Sequence, residues 1–231
     1  MVLYQGDCFI EMKKIEDNSI DMVMSDPPFN ITRNSWDYAV NLDDLWKDYK
    51  RIIKPNGVIV LMSATPFDKI LGVSNITELK YEYIWIKSEA TGFFLAKKRP
   101  LRKHENILVF YTGKPTYNPQ FTEGTPYKYK KQGAVSKSYG THNYQEKEWV
   151  NEGKRYPNTL LSFKKDRGLH PTQKPISLME FLIKTYTNEG DMVLDNFMGS
   201  GSTGVAAKNL NRNFIGIEKD PEMFKIAESR L

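Results

Sequence analysis

Short apolar runs, too brief to be helices, alternate along this chain with longer stretches whose apolar residues recur at helical spacing. That alternation leaves few architectures open. Asp21-Met-Val-Met-Ser25 and Val58-Ile-Val-Leu-Met62 read as buried strands, and Leu42 to Ile53 between them spaces its apolar residues as a helix does. This is a strand–helix–strand unit, the building block of an α/β fold. Tyr81 to Lys87 and Ile107 to Tyr111 read as further strands, rich in aromatic and β-branched residues, with the basic Lys97-Lys-Arg-Pro-Leu-Arg-Lys103 between them. Regular signals resume with a helix over Ser177 to Tyr186, a strand over Met192 to Asp195, a helix over Thr203 to Leu210 and a strand over Phe214 to Glu218. A last helix opens with Asp220 as N-cap and Pro221 at its first position. No internal repeat is visible.

Between Gly113 and Arg167 the periodicity is lost, and Gly, Pro, Lys and Tyr dominate a stretch with six tyrosines and Trp149. With 231 residues and 40% hydrophobic content the chain can bury one sizeable core. The expectation is one domain from 1–112 and 168–231, carrying a loop-rich insertion at 113–167.

The single cysteine, Cys8, excludes a disulfide framework and any zinc site built on clustered cysteines, and three histidines add no metal-ligand spacing. No leader pattern and no run of about 18 apolar residues is present, so the reading is a metal-free, cytoplasmic protein outside the membrane. The formal charge is only +5 but uneven: Lys97 to Lys174 holds 17 Lys and Arg against 6 Asp and Glu, and the remainder holds 16 against 22. A segment this basic suits a polyanion, because neutralised phosphates release condensed counterions. Lys97, Lys98, Arg99, Arg102 and Lys103 are the candidate phosphate contacts; a merely solvated lysine-rich surface stays open as the alternative. The tyrosines at 117, 127, 129, 139, 144 and 156 are interleaved with Lys128, Lys130, Lys131 and Lys137. They could form a small satellite core, or offer stacking and phosphate pairing to a nucleic acid.

The strand ending at Asp195 runs into Asn196-Phe-Met-Gly-Ser-Gly-Ser-Thr203, a small-residue loop that opens a helix. Gly199 and Gly201 permit close approach of backbone to a ligand, and Glu218, 23 residues after Asp195, could bind a ribose diol. Taken alone the loop does not exclude a nicotinamide dinucleotide. A second motif, Ser25-Asp26-Pro27-Pro28-Phe29-Asn30, lies at the carboxyl end of an expected strand, where open α/β sheets bind ligands. An exocyclic amine on a base delocalises its lone pair into the ring and is a poor nucleophile. Catalysis therefore needs groups that accept its hydrogens, and Asp26 and the Pro27 carbonyl can do so. Phe29 can stack on the base, and the two prolines stiffen the loop without offering a competing N–H. Read in isolation, Asp-Pro-Pro is also an ordinary turn.

Together, Asp26-Pro-Pro-Phe29, Phe197-Met-Gly-Ser-Gly201 and His170-Pro-Thr-Gln-Lys-Pro175 resemble the amino-methyltransferases of DNA, in the order of their β class, over nearly the whole chain. The resemblance implies a Rossmann-like S-adenosylmethionine-dependent methyltransferase fold with circularly permuted motifs. It makes Asp26, Pro27, Pro28 and Phe29 catalytic. It puts Asp195, Phe197, Gly199, Gly201, Ser202 and Thr203 around the methionine end of S-adenosylmethionine, Glu218 on the ribose, and Asp7 with the Cys8 backbone on the cofactor's adenine. His170, Thr172 and Lys174 would close the site, and 113–167 would be the target-recognition region. The partner implied is double-stranded DNA, with an adenine flipped out and methylated at N6; a homodimer is left open.

Spacing supports the permuted order separately. Joining the chain ends would put 20 residues, one helix plus a turn, between Glu218 and Asp7, and termini of domains commonly lie close together. Cytosine-N4 methylation is the nearest rival, although its usual first catalytic residue is Ser where this chain has Asp26, and Phe29 stands where Tyr is more frequent. A catalytically silent DNA-binding module would use the same basic segment, and a nicotinamide-dependent oxidoreductase lacks a second catalytic constellation. A C5-cytosine mechanism would need a cysteine nucleophile after proline, whereas Cys8 follows Asp7. The recognition sequence, and a restriction-linked as against a solitary role, are not legible.

Overall fold

The computed structural model describes residues 1–31, 37–131, 135–136, 142–143, 147–166 and 173–231. In chain order the main elements are β1 (Val2–Gln5), α1 (Cys8–Glu11), β2 (Ile20–Ser25), α2 (Leu42–Ile52), β3 (Ile53–Ser63), α3 (Phe67–Ser74), β4 (Leu79–Thr91), β5 (Arg102–Phe110) and β6 (Leu160–Phe163). They continue with α4 (Ile176–Tyr186), β7 (Met192–Asp195), α5 (Ser202–Asn209), β8 (Asn213–Glu218) and α6 (Pro221–Arg230). The strands form one eight-stranded sheet in the order β1-β8-β7-β2-β3-β5-β4-β6. Neighbours run parallel except where β5 lies antiparallel to β3 and to β4.

Successive side chains of a strand point to opposite faces, and here both faces are dry. Met22, Met24, Val58, Val60, Met62, Ile107, Val109 and Val193 pack into one buried cluster with α4 and α5. Val23, Ile59, Leu61, Leu108, Phe110 and Leu194 pack into a second with α1, α2 and α3. Two-sided burial is why β2 and β3 read as continuous apolar runs instead of alternating ones. The helices follow their own signals. Asn41 caps α2 by accepting from the Asp43 and Asp44 N–H groups, and Leu45, Trp46, Tyr49 and Ile52 bury its apolar face. Asp220 caps α6 through the Glu222 and Met223 N–H groups, with Pro221 in the first turn.

The chain order places the site. From β2 the chain crosses through α2 to β3 on one side, and from β7 it crosses through α5 to β8 on the other. Since β2 and β7 are neighbours, with Met22 opposite Val193 and Val23 opposite Leu194, their carboxyl ends flank the crevice where connections diverge. At the edge of the sheet β1 lies parallel to β8, Gln5 opposite Glu218, and the Gly6 N–H bonds the Glu218 carbonyl at 2.9 Å. The first strand thus sits where the permuted reading expects it.

Two boundaries move. β5 begins at Arg102, so Arg102 and Lys103 lie on the ladder and not in a loop. Leu160–Phe163, expected inside the 113–167 insertion, pair parallel with β4 because Leu161 completes the core beside Trp85, whose Nε1–H bonds the Phe163 carbonyl at 3.0 Å. The separate compact unit is Pro119–Asn158. It is built from antiparallel ribbons, Tyr127–Lys131 with Lys147–Asn151, Thr122–Glu123 with Lys154–Arg155, and Val135–Ser136 with His142–Asn143. Its described aromatics do not make a satellite core: Tyr127, Tyr129, Trp149 and Tyr156 are exposed. The Arg155 guanidinium lies over the Tyr127 ring. Tyr117 belongs to the larger unit and meets Tyr186, and Tyr139, Tyr144 and Lys137 lie outside the described residues. Among the described residues no helix is long and apolar enough to cross a membrane.

Phe214 is 1% exposed in the cluster shared with α5 and α6. Phe214→Ala is expected to cost about 3–5 kcal/mol of unfolding free energy. Urea midpoints of the two proteins measure it, and a change below about 1 kcal/mol would contradict this packing.

Candidate active site

Asp195, at the end of β7, holds the two motifs together. Its Oδ1 accepts from Ser25 Oγ of β2 at 2.7 Å and from the Phe197 N–H at 3.1 Å, and its Oδ2 accepts from Thr203 Oγ1 of α5 at 2.6 Å. Burial pushes its carboxyl up to about 6, against the pull of the Thr203 and Ser25 hydroxyls. One side chain therefore fixes the strand before Asp26, the start of the glycine loop and the first turn of α5. The same loop is fixed from β8: Glu218 Oε2 accepts the Gly199 N–H at 2.8 Å and Oε1 accepts the Asp220 N–H at 2.7 Å.

The crevice opens into a cavity of about 730 Å³ lined by both motifs, with Asp26, Pro27, Pro28 and Phe29 on one side and Phe197, Gly199, Ser202, Thr203 and Glu218 on the other. Gly199 has φ +51°, and a Cβ there would meet no atom within 4 Å, so its backbone borders free space. Gly201 differs. It has φ +81°, does not line the cavity, and a Cβ would press on Ala227 of α6 at 3.1 Å. Its missing Cβ lets the loop pass α6. Ser202 Oγ is buried and has no hydrogen-bond partner among the described residues.

A chain of alternating charge lies behind Asp26. Lys174 Nζ pairs with Asp26 Oδ2 and with Glu105 Oε2 (3.5 Å), and Lys87 Nζ bonds Glu105 Oε1 at 3.2 Å. Burial works against the Lys174 charge, but the Asp26 and Glu105 carboxylates outweigh it and hold Lys174 above the usual lysine range. Burial likewise opposes the Glu105 charge, and the Lys174 and Lys87 ammoniums override it, so Glu105 stays low. For Asp26, burial dominates the opposing pull of Lys174 and raises its carboxyl. Asp26 Oδ1 is shielded from solvent and unpartnered among the described residues. Asp26 itself lines the cavity, and this oxygen is an acceptor that no group of the described residues uses.

Phe29 stacks on Phe67 with ring centroids 5.4 Å apart. Behind it, Asp37 accepts from the Asn30 and Ile31 N–H groups at 2.6 and 2.9 Å and closes the Pro27–Asn30 loop.

Not every expected residue lies where the resemblance puts it. Lys174, expected to close the site, lines the cavity and sits against Asp26, where Asp26 and Glu105 compensate its buried charge. Asp7 caps α1 through the Phe9 N–H (3.0 Å) and meets Lys219 at 3.2 Å; its neighbours Gly6 and Cys8 line the cavity and it does not. Cys8 is buried, and its thiol is pushed up to about 12 by burial and by Asp7. His170 and Thr172 lie outside the described residues. Lys87 and Glu105 were missed, although a signal existed: Tyr83, Trp85 and Lys87 share one face of β4, which sets a lysine in line with buried aromatics.

The geometry finds its counterpart in known proteins. The family model described as DNA methylase, of the N6 and N4 type, matches residues 20–229. The Type II methyltransferase M.HpaI of Haemophilus parainfluenzae is 32% identical over 237 residues, covering 95% of this chain and 70% of the relative. The DNA adenine methyltransferase YhdJ of Escherichia coli is 30% identical over 247 residues, covering 99% of this chain and 82% of the relative. The crystal structure of the M1.HpyAVI–SAM complex matches with a TM-score of 0.70 at 26% identity, covering 100% of this chain and 99% of that one. With its two motifs meeting at one crevice and a family match over nearly its whole length, the chain belongs to the N6/N4 DNA methylase family.

Proposed function

We propose that this chain transfers a methyl group from S-adenosylmethionine to the N6 amine of an adenine extruded from double-stranded DNA. The observation that carries the reading is Asp26 Oδ1, a shielded carboxylate oxygen with no partner among the described residues, in the wall of a cavity that the glycine loop also lines. Bound there, S-adenosylmethionine supplies a sulfonium methyl, an electrophile that needs no covalent enzyme intermediate. The cavity suits it: Gly199 leaves room for a ligand against the backbone, Ser202 Oγ is a donor without a partner among the described residues, and Glu218 presents a carboxylate already oriented by two N–H groups. M1.HpyAVI, solved with SAM, supports the same donor.

The rest is done by the chain's own groups. With Lys174 on Oδ2, Asp26 is held so that Oδ1 accepts one amine hydrogen, and the Pro27 carbonyl accepts the other. These acceptors draw the nitrogen lone pair out of the ring and stabilise the positive charge that develops as the new N–C bond forms. Burial raises the Asp26 carboxyl, which makes Oδ1 the better resting place for the proton shed by the methylated amine. Phe29, backed by Phe67, stacks on the base. Adenine is favoured over cytosine by Asp26 at the head of the tetrapeptide, and YhdJ, a DNA adenine methyltransferase, supports it. The Pro119–Asn158 unit, with exposed Tyr127, Tyr129 and Trp149 beside Lys128 and Lys130, is assigned to target recognition. Lys97, Lys98, Arg99 and Lys103 are exposed and assigned to DNA phosphates. Arg102 is half-buried and bonds the Thr65 carbonyl at 2.9 Å, so it serves the cavity rim instead.

Asp26→Ala is expected to lower methyl transfer by at least about a thousandfold, the scale for losing a group aimed at developing charge, while calorimetric affinity for S-adenosylmethionine changes by less than about threefold. Sequencing modified bases in DNA exposed to the parent enzyme identifies the base and maps its site; methyl on cytosine N4 would replace adenine with the rival base.

Gly199→Val should abolish S-adenosylmethionine binding in a folded protein, because its side chain would enter the cavity. Gly201→Val should instead unfold or destabilise the chain through the Ala227 contact and the positive φ. Thermal melts paired with calorimetry separate the two. A Gly199→Val protein that binds at parental affinity would remove the loop from the cofactor site.

Replacing Lys97, Lys98, Arg99 and Lys103 by Ala should flatten the slope of log K against log salt by about 0.9 for each phosphate that these side chains neutralise. An unchanged slope would move the DNA-binding face away from this segment.

A further inference from the structure

The hairpin that joins β4 to β5 carries a feature that neither the core nor the cavity uses. At its root Thr91 pairs with Arg102 in the ladder, and the Thr91 hydroxyl lies 3.3 Å from both Lys87 Nζ and the Arg102 carbonyl. Thr91, Arg102, Lys87 and Glu105 all line the cavity that holds Asp26. Just beyond the root, Gly92 at φ +89° turns the chain into a single helical turn, Phe93–Leu95. Phe93 is 79% exposed and Phe94 102% exposed, with Leu95 and Leu101 exposed behind them. Lys97, Lys98 and Arg99 follow at once, also exposed, and the Lys98 and Arg99 N–H groups bond the Leu95 carbonyl at 2.8 and 3.0 Å. Two phenylalanine rings in water, held at the rim of a site, mark a contact surface.

We propose that this tip is a wedge for duplex DNA: Phe93 and Phe94 insert into the base stack beside the extruded nucleotide, while Lys97, Lys98 and Arg99 hold the flanking phosphates. The proposal rests on the reading of the Asp26 cavity as the pocket for the target base. Three observations favour a nucleic acid over a second protein. Lysine is depleted from the cores of protein–protein interfaces, yet here Lys97 and Lys98 follow the apolar pair after only Leu95 and Ala96. Apolar side chains thrust between base steps beside basic phosphate contacts are an established way of opening a duplex. Position also fits: Thr91 at the root lines the cavity and the helical turn begins two residues further on, so the two rings are tethered beside the gap that a base drawn into the cavity leaves in the stack. Filling that gap and disrupting the adjacent step would favour extrusion, the stage at which pairing and stacking are lost.

The test uses the Phe93→Ala/Phe94→Ala variant of the full chain and two duplexes carrying the methylation site mapped with the parent enzyme. In one the target adenine is paired with thymine; in the other it faces an abasic position. A wedge that assists extrusion predicts a fall in kcat/KM of at least about tenfold on the paired duplex and recovery to within about twofold of the parent on the unpaired one, since an unpaired base is easier to flip. Affinity for S-adenosylmethionine should not change. Equal losses on both duplexes, or no loss on either, would overturn the wedge while leaving the Asp26 reading in place. Parental methylation of both duplexes by the Asp26→Ala variant would overturn the pocket assignment and the wedge with it.

Discussion

The site depends on a carboxylate that touches three elements at once. Asp195 binds Ser25 at the end of β2, the Phe197 N–H in the glycine loop and Thr203 in the first turn of α5. Ser25 is thereby tied to an acid 170 positions further along the chain, and the loops that follow the two are set against each other before any ligand arrives. Such preorganisation matters because a group misplaced by about 1 Å can cost a hundredfold in rate. Ser25 is thus more than the residue before Asp26: it couples the catalytic loop to the cofactor loop.

Behind Asp26 the balance is electrical. Lys87, Glu105, Lys174 and Asp26 alternate in sign, and together they are neutral. Each charge alone would be expensive in this shielded place, and removing one leaves its neighbour uncompensated, which is worse than never burying the pair. Lys174 comes from the segment before α4, Glu105 from β5 and Lys87 from β4, so the catalytic carboxylate is steadied from the antiparallel side of the sheet. The parallel side holds the glycine loop. The two halves of the sheet therefore have separate tasks that meet at one cavity.

Much of this was legible in the residues. The strands β2, β3, β7 and β8 announced themselves because two-sided burial demands unbroken apolar runs, and Asp220 and Pro221 marked the start of α6. The pairing of Asp26-Pro-Pro-Phe29 with the glycine loop pointed to one crevice, and the structure has them lining one cavity. What escaped was whatever depended on distant partners. Leu160–Phe163 is too short to register as a strand within a polar stretch, and only its fit beside β4 makes it one. The link from Lys174 through Glu105 to Lys87 could not be read because Glu105 carries no motif. Gly201 reads as part of a ligand loop, and only the structure shows that its lack of a Cβ also makes room for Ala227 on α6, a neighbour 26 residues further on.

The burial of Asp195 has an evolutionary corollary. Its carboxyl ionises near 6 in the folded chain, against about 3.9 for an unperturbed aspartate. A proton is therefore held more tightly in the native state than in the unfolded one; the associated penalty is absent below the unfolded value, grows as pH rises between the two, and is complete above about 6. At neutral pH the difference amounts to about 3 kcal/mol, a large share of the stability of an ordinary domain. Replacing the acid would not recover that cost, because Ser25, the Phe197 N–H and Thr203 would each lose their buried acceptor. An acid ionised in a dry place at neutral pH is thus the condition for joining the two loops, a position where selection trades robustness against activity.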